Sequence, residues 1–176
     1  MESVEGARRF GASVRADVSD ASRFAEWVRP HWGEMYGLSV RMCGPNDCDD
    51  VLQDAVASAW RKWATFDPAR GSARGWLLAV VADQARKARR RARRWHWREL
   101  TNDVPIPDGA APDRLDLAAA VRRLPERQRL ATELFYFLDL PIEEIASVMG
   151  CSAGTVKSTL HDARRRLQNL LGADYR

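Results

Sequence analysis

A chain of 176 residues can make one ordinary domain or two small ones, and with 45% hydrophobic and 30% charged residues it has enough apolar material for a core. Its longest apolar run, LLAVVA at Leu77–Ala82, falls far short of the roughly 20 residues that cross a bilayer, and MESVEGARRF lacks the apolar stretch of a secretory signal. These features exclude membrane insertion and predict a cytoplasmic protein; the net charge of +4 points weakly to an anionic partner.

Residues 1–21 show no sustained period and read as a mobile tail. From Ser22 the apolar residues Phe24, Trp27, Val28, His31, Met35, Leu38 and Met42 recur near every 3.6 positions, which predicts a first helix kinked at Pro30. Gly44-Pro45 ends it. Asn46 or Asp47 then suits the N-cap of a second helix carrying Leu52, Ala55, Val56, Ala59, Trp60 and Trp63 and ending near Phe66. The DPARGS stretch reads as loop, and Ser72 as the cap of a third helix with Trp76, Leu77, Val80, Val81, Ala85 and Ala88 on its apolar side. That helix runs into a basic block: between Arg86 and Arg98 there are eight Arg or Lys and no acid.

The charge then reverses. From Thr101 to Asp116 there are four Asp and one Arg, and the stretch 99–116 holds Pro105, Pro107, Gly109 and Pro112, the composition of an extended, acidic, Pro-rich linker. Beyond it Leu117, Val121 and Leu124 mark a short helix, and Pro125 fits the first position of the next, which carries Leu130, Ala131, Leu134, Phe135 and Leu138. Ile142, Ile145, Ala146 and Met149 line a further short helix. Gly150 can adopt the left-handed conformation that turns the chain, and Ser152 can cap a last helix with Val156, Leu160, Ala163, Leu167 and Leu170 inward. Two short amphipathic helices about a Gly-bearing turn are the helix-turn-helix pattern. The outer side of the second shows Ser152, Thr155, Lys157, Ser158, His161, Asp162, Arg164 and Arg165, groups suited to base edges and phosphates; the competing reading is a plain helical hairpin with a solvated face. No segment alternates with period two, so the fold class is all-α: two small helical domains joined by a flexible linker.

With these residues in view the chain resembles sigma factors. EEIASVMGCSAGTVKSTLHDARRRL, preceded by LPERQR, is similar to their region 4, while CDDVLQDAVASAW and FDPARGSARGWLLAVVADQARKARRR resemble region 2 and its promoter-melting segment. Without counterparts of an inhibitory N-terminal region or a middle domain, the resemblance is to the extracytoplasmic-function (ECF) group, and it implies residues 22–98 as region 2 and 117–171 as region 4. It further implies that the second helix grips the clamp helices of core RNA polymerase. Asp49, Gln53 and Trp60 share a helix face there, with Asp50 and Asp54 on an adjacent stripe. In the melting segment Arg86, Lys87, Arg89, Arg90, Arg91, Arg93 and Arg94 would follow DNA backbone, and Trp76, Trp95 and Trp97 are candidates for holding unstacked bases, although Trp76 also fits the core. Promoter DNA and core polymerase, through its clamp helices and flap, are the implied partners; an anti-sigma factor stays open.

Asp83 stands where the family commonly has Asn, Val56 where an aromatic is common, and Thr159 and Asp162 where Arg is common, which puts promoter preference in question. No catalytic constellation is legible: His31, His96 and His161 are scattered, and Cys43, Cys48 and Cys151 form neither a CxxC pair nor a zinc set. A non-enzyme without cofactor or metal is expected. The same residues leave as alternative a conventional helix-turn-helix transcriptional regulator that does not bind the polymerase core, and, more remotely, a nucleic-acid enzyme using the arginine block.

Overall fold

Pro30 cannot donate to a helical ladder, and the first predicted helix is divided there. The computed structural model of the chain describes residues 19–99 and 117–172, the side chains of 93–99 excepted. Residues 19–28 are helical (α1), so the helix is already present at Ser19, before the start that apolar spacing suggested. The chain tightens into a 3-10 turn at Arg29–His31 and resumes as α2, Trp32–Cys43. Gly44, with φ 89°, ends α2 by donating its N–H to the Val40 carbonyl at 2.7 Å.

Helix α3 spans Cys48–Lys62 with Asp47 at the N-cap, but the Asp47 side chain makes no capping bond. Asp49 and Asp50 in the first turn supply the negative charge that a helix N-terminus favours. After 3-10 turns at Trp63–Thr65 and Pro68–Arg70, helix α4 covers Ala73–Glu99. Ser72 caps it as expected, its hydroxyl accepting from Gly75 N at 2.9 Å.

Past residues 100–116, where most of the proposed linker lies outside the described residues, α5 is Leu117–Arg122 and α6 is Glu126–Thr132. Pro125 stands at the N-cap with ψ 146°, one place before the expected first helical position. Helix α6 widens into a π turn at Glu133–Phe137 before α7, Ile142–Met149. Gly150, at φ 61° and ψ 44°, makes the left-handed turn into α8, Ala153–Leu171, and Ser152 accepts from Thr155 N at 3.2 Å. No strand occurs among the described residues.

Met35, Leu38, Leu77, Leu78 and Val81 are buried in the first half, and Leu134, Ile145 and Val156 in the second, yet they belong to one continuous apolar core. Val121, Leu124 and Ala163 form a small separate cluster under α5. The two halves meet where α2 and the start of α4 face α6 and α7. Arg129 donates to the Met42 carbonyl at 3.0 Å, Arg41 pairs with Glu133 at 2.7 Å, Arg74 reaches the Leu138 carbonyl while holding Glu34 at 2.8 and 3.0 Å, and Ser72 bonds Glu144.

Candidate functional site

Three exposed faces carry the predicted residues. On α3 the helical period brings Asp49, Asp50, Gln53, Asp54 and Trp60 to the surface, while Val51, Leu52, Ala55 and Ala59 go inward. Trp60 is 40% exposed, and its ring packs against Phe24 at 5.2 Å and Trp63 at 6.1 Å. It is therefore held on one side and open on the other, the arrangement of a preorganised aromatic contact. Asp54 differs from its neighbours: Arg91 of α4 hydrogen-bonds it at 2.9 Å, so this carboxylate ties two helices together.

Two further aromatic residues stand on this side, outside the set that apolar spacing marks. Trp32 and Tyr36 of α2 are 48% and 45% exposed, off the stripe of Met35, Leu38 and Met42 that faces the core. The Tyr36 phenol is raised above its usual pKa by the Cys48 sulfur beside it and then by Asp49, which locates it next to the acidic face. Their signal was present in the sequence: both are aromatic and, one turn apart, share a flank of the helix about 100° from the apolar stripe.

The second face is the visible part of α4. Trp76 is half-buried, its ring 5.8 Å from Trp27 and 5.7 Å from Phe66, so it belongs to an aromatic cluster. Asp83 holds Lys87 at 2.8 Å one turn on, and that hydrogen bond keeps its carboxyl below the ordinary range. Arg86 and Arg89 are half-buried, with Nε of the first and Nη1 of the second enclosed and without a hydrogen-bond partner among the described residues. Lys87, Arg90 and Arg91 are exposed. The side chains of Arg93, Arg94, Trp95 and Trp97 lie outside the described residues.

The third face belongs to α8. Burial of Val156, Leu160 and Ala163 turns Thr155, Lys157, Ser158, His161, Asp162, Arg164 and Arg165 outward. Ser152 spends its hydroxyl on the cap and on Thr155 Oγ1, 2.9 Å away. Ser158 and Thr159 donate to the Thr155 carbonyl at 3.0 and 2.7 Å. Arg164 is held by Tyr136 Oη at 2.5 Å with its guanidinium 5.8 Å from that ring, and Asp162 lies 3.7 Å from Arg165. Lys157 and His161 are exposed beside them, with no comparable tether among the described residues.

No cluster of His, Cys, Asp and Glu among the described residues is arranged to hold a metal. No described helix is long and apolar enough to cross a membrane. What the faces offer is docking: acids with aromatics on one, cations on the other two.

Comparison with known proteins agrees in order and position. The family model for sigma-70 region 2 matches residues 27–95, and that for sigma-70, region 4 matches 114–167. The ECF RNA polymerase sigma factor SigK of Mycobacterium tuberculosis (strain ATCC 25618 / H37Rv) is 29% identical over 163 residues, covering 86% of this chain and 87% of its own length. The ECF RNA polymerase sigma factor RpoE of Cereibacter sphaeroides is also 29% identical, over 86% and 88%. Among solved structures, the sigma factor RpoE in complex with the anti-sigma factor NepR from Bartonella quintana superposes with a TM-score of 0.70 at 23% identity, covering 85% of this chain and 96% of that one. CnrH in complex with the cytosolic domain of CnrY gives 0.64 at 26% identity, over 92% and 95%. With region 2 on α1–α4 and region 4 on α5–α8, in one chain and in that order, the protein belongs to the sigma-70 family, in its extracytoplasmic-function group.

Proposed function

We propose that this ECF sigma factor docks on core RNA polymerase through the outer face of α3, widened by Trp32 and Tyr36 of α2, and reads promoter DNA with α4 and α8. The observation that carries the assignment of roles is the segregation of charge by face. Asp49, Asp50 and Gln53 are exposed beside aromatic edges, whereas α8 is mostly basic or hydroxylic on its outer side. An acidic, aromatic surface suits a basic coiled coil, and a basic helix projecting from a tight turn suits a DNA groove.

In this reading residues 22–98 bind the clamp helices and the −10 element, residues 117–171 contact the flap and the −35 element, and 99–116 connect them. Catalysis belongs to the polymerase, and the factor works in the cytoplasm without a cofactor. An anti-sigma partner fits the same reading, since the solved Bartonella relative is held by one. A conventional helix-turn-helix regulator would bind DNA without core enzyme.

Purified chain added to core polymerase separates the two, because a sigma factor makes initiation start at one mapped position whereas a regulator leaves core enzyme nonspecific. Changing Asp49 and Gln53 together to Ala should weaken association with core, measured by fluorescence polarisation, while circular dichroism stays unchanged. Undiminished affinity moves the clamp contact to another face.

A further inference from the structure

Beside the apolar core, the end of α2, the start of α3, the middle of α4 and the α5–α6 corner line a cleft of about 460 Å³. Its lining is charged, with five arginines and three aspartates. Two of the arginines are already paired, Arg91 with Asp54 at 2.9 Å and Arg41 with Glu133 at 2.7 Å. Arg89, Arg122 and Arg129 have no acid within ion-pair distance among the described residues.

Arg129 is the unusual one. It is 5% exposed, and its Nη atoms donate only to main-chain oxygens, those of Met42 at 3.0 Å and Arg122 at 3.5 Å. Its Nε is enclosed with no partner among the described residues, as is Nη1 of the half-buried Arg89. A guanidinium taken out of water without an anion beside it is costly, and carbonyl dipoles offset only part of that cost. Across the cleft stand two free carboxylates. Asp47 is exposed at the start of α3 and makes no capping bond, and Asp50 is exposed in the first turn. Cys43, also in the lining, feels both signs of charge: Arg89 lowers its thiol pKa, while Asp47 and Glu126 raise it.

A ligand matched to this lining carries anionic oxygens for the arginines and hydroxyl donors for the aspartates. Bare phosphate supplies only the first and is repelled by the second. A nucleoside diphosphate supplies both, since its phosphate oxygens accept from guanidinium forks and its ribose hydroxyls donate to a carboxylate. Clefts of several hundred Å³ hold ligands of that size. We propose that this cleft binds a nucleoside diphosphate, with the phosphates on Arg89, Arg122 and Arg129 and the ribose hydroxyls on Asp47 or Asp50. Asp50 and Asp54 also belong to the face assigned to core polymerase, so an occupied cleft engages part of that face. This consequence alone rests on the docking reading.

Isothermal titration calorimetry of the full chain, without polymerase or DNA, tests the site with ADP, GDP and inorganic pyrophosphate as probes. ADP or GDP should bind at a single site and more tightly than pyrophosphate, and should slow alkylation of Cys43 at alkaline pH. Arg122→Gln, at the exposed rim, should weaken nucleotide binding about tenfold, the loss of one charge-assisted contact, with helical circular dichroism retained. Arg90→Gln, next to Arg89 on α4 but outside the lining, should leave it unchanged. Asp47→Ala should remove the preference for nucleotide over pyrophosphate. Equal losses in Arg90→Gln and Arg122→Gln mean a diffuse attraction of polyanions to the basic block and overturn the site. The absence of nucleotide binding to the unaltered chain overturns it too, including the case in which binding appears only after Asp103, Asp108, Asp113 and Asp116 are changed to Asn, because the chain's own carboxylates then fill the cleft. Association with core polymerase is measured separately, so failure of the docking reading is distinguishable from failure of the site.

Discussion

Asp162 faces solvent in the middle of the reader helix, with Arg165 as its near neighbour at 3.7 Å. A carboxylate there repels phosphate, and at a base edge it accepts from a donor such as the cytosine amino group. Asp162→Arg should raise overall DNA affinity, because it adds a cation and also releases Arg165, and should relax or change the upstream-element choice. Binding measured against a randomised −35 library checks both, and no change in either places Asp162 outside the interface. Cys43 makes a chemical prediction. Burial pushes its thiol up to about 11, against a smaller lowering by Arg89, so almost none is thiolate near neutrality. Alkylation of Cys43 at pH 8 should run about a hundredfold slower than for an unperturbed thiol and rise about tenfold per pH unit, followed by peptide mass spectrometry. A fast reaction at pH 8 contradicts its burial. At this scale the sequence identifies residue types well and their attachments poorly. That Asp54, Arg164 and Ser152 are exposed follows from helical spacing. That each is engaged by Arg91, Tyr136 or Thr155 depends on which side chains lie alongside, which spacing along one helix does not encode.

The helices themselves were legible because their apolar residues keep a 3.6 period and their ends carry recognised residues. Ser72, Gly150 and Ser152 act as the sequence suggests, and Pro30 breaks the helix where it must. The π turn at Glu133–Phe137 had no such sign, since ELFYF continues the apolar pattern of α6, with Glu133 and Leu134 buried at its start. The basic run on α4 shows the limit of reading an element by composition. A helix turns about 100° per residue, so consecutive arginines point all round it. Arg86 and Arg89 are half-buried and Arg91 is paired with Asp54, which leaves Lys87 and Arg90 as the exposed described cations of the block that are not tied to α3. Lys87 is itself engaged by Asp83. Neutralising Arg89, Arg90, Arg93 and Arg94 should weaken promoter binding about equally for all sequences, and the log–log salt dependence should flatten by about 0.9 for every phosphate that is no longer neutralised. The half-buried setting of Arg89 leads us to expect a smaller change than four full phosphate neutralisations. An unaltered slope means that the block is a solvated face.

For the whole molecule, the class and the order of the two sigma regions could be read from two motifs, but their mutual packing could not. The residues that join the halves, Arg41, Ser72, Arg129, Glu133 and Glu144, are ordinary polar positions scattered along the chain. Only their meeting in space gives them a common role. The connection between the halves then has two demands on its length. With the halves packed together it has to bridge the end of α4 and the start of α5; on a promoter, by family analogy, it has to let two readers reach elements on the order of 60 Å apart, somewhat under two helical turns at about 34 Å each. The residues from 100 to 116 span at most roughly 56 Å at about 3.3 Å each, and the two halves add their own reach. Removing the eight residues Asn102 to Gly109 reduces that span to roughly 30 Å. The deletion should therefore abolish initiation at native promoter spacing while leaving the helical circular dichroism of the chain intact. A Gly/Ser segment of equal length should preserve promoter binding but alter early RNA synthesis, because it keeps the reach and removes the charge of Asp103 and Asp108 together with the stiffness of Pro105 and Pro107. Run-off transcription and abortive-product analysis on one promoter distinguish the two variants. Full activity of the deletion at native spacing would refute a model in which both halves contact the promoter simultaneously.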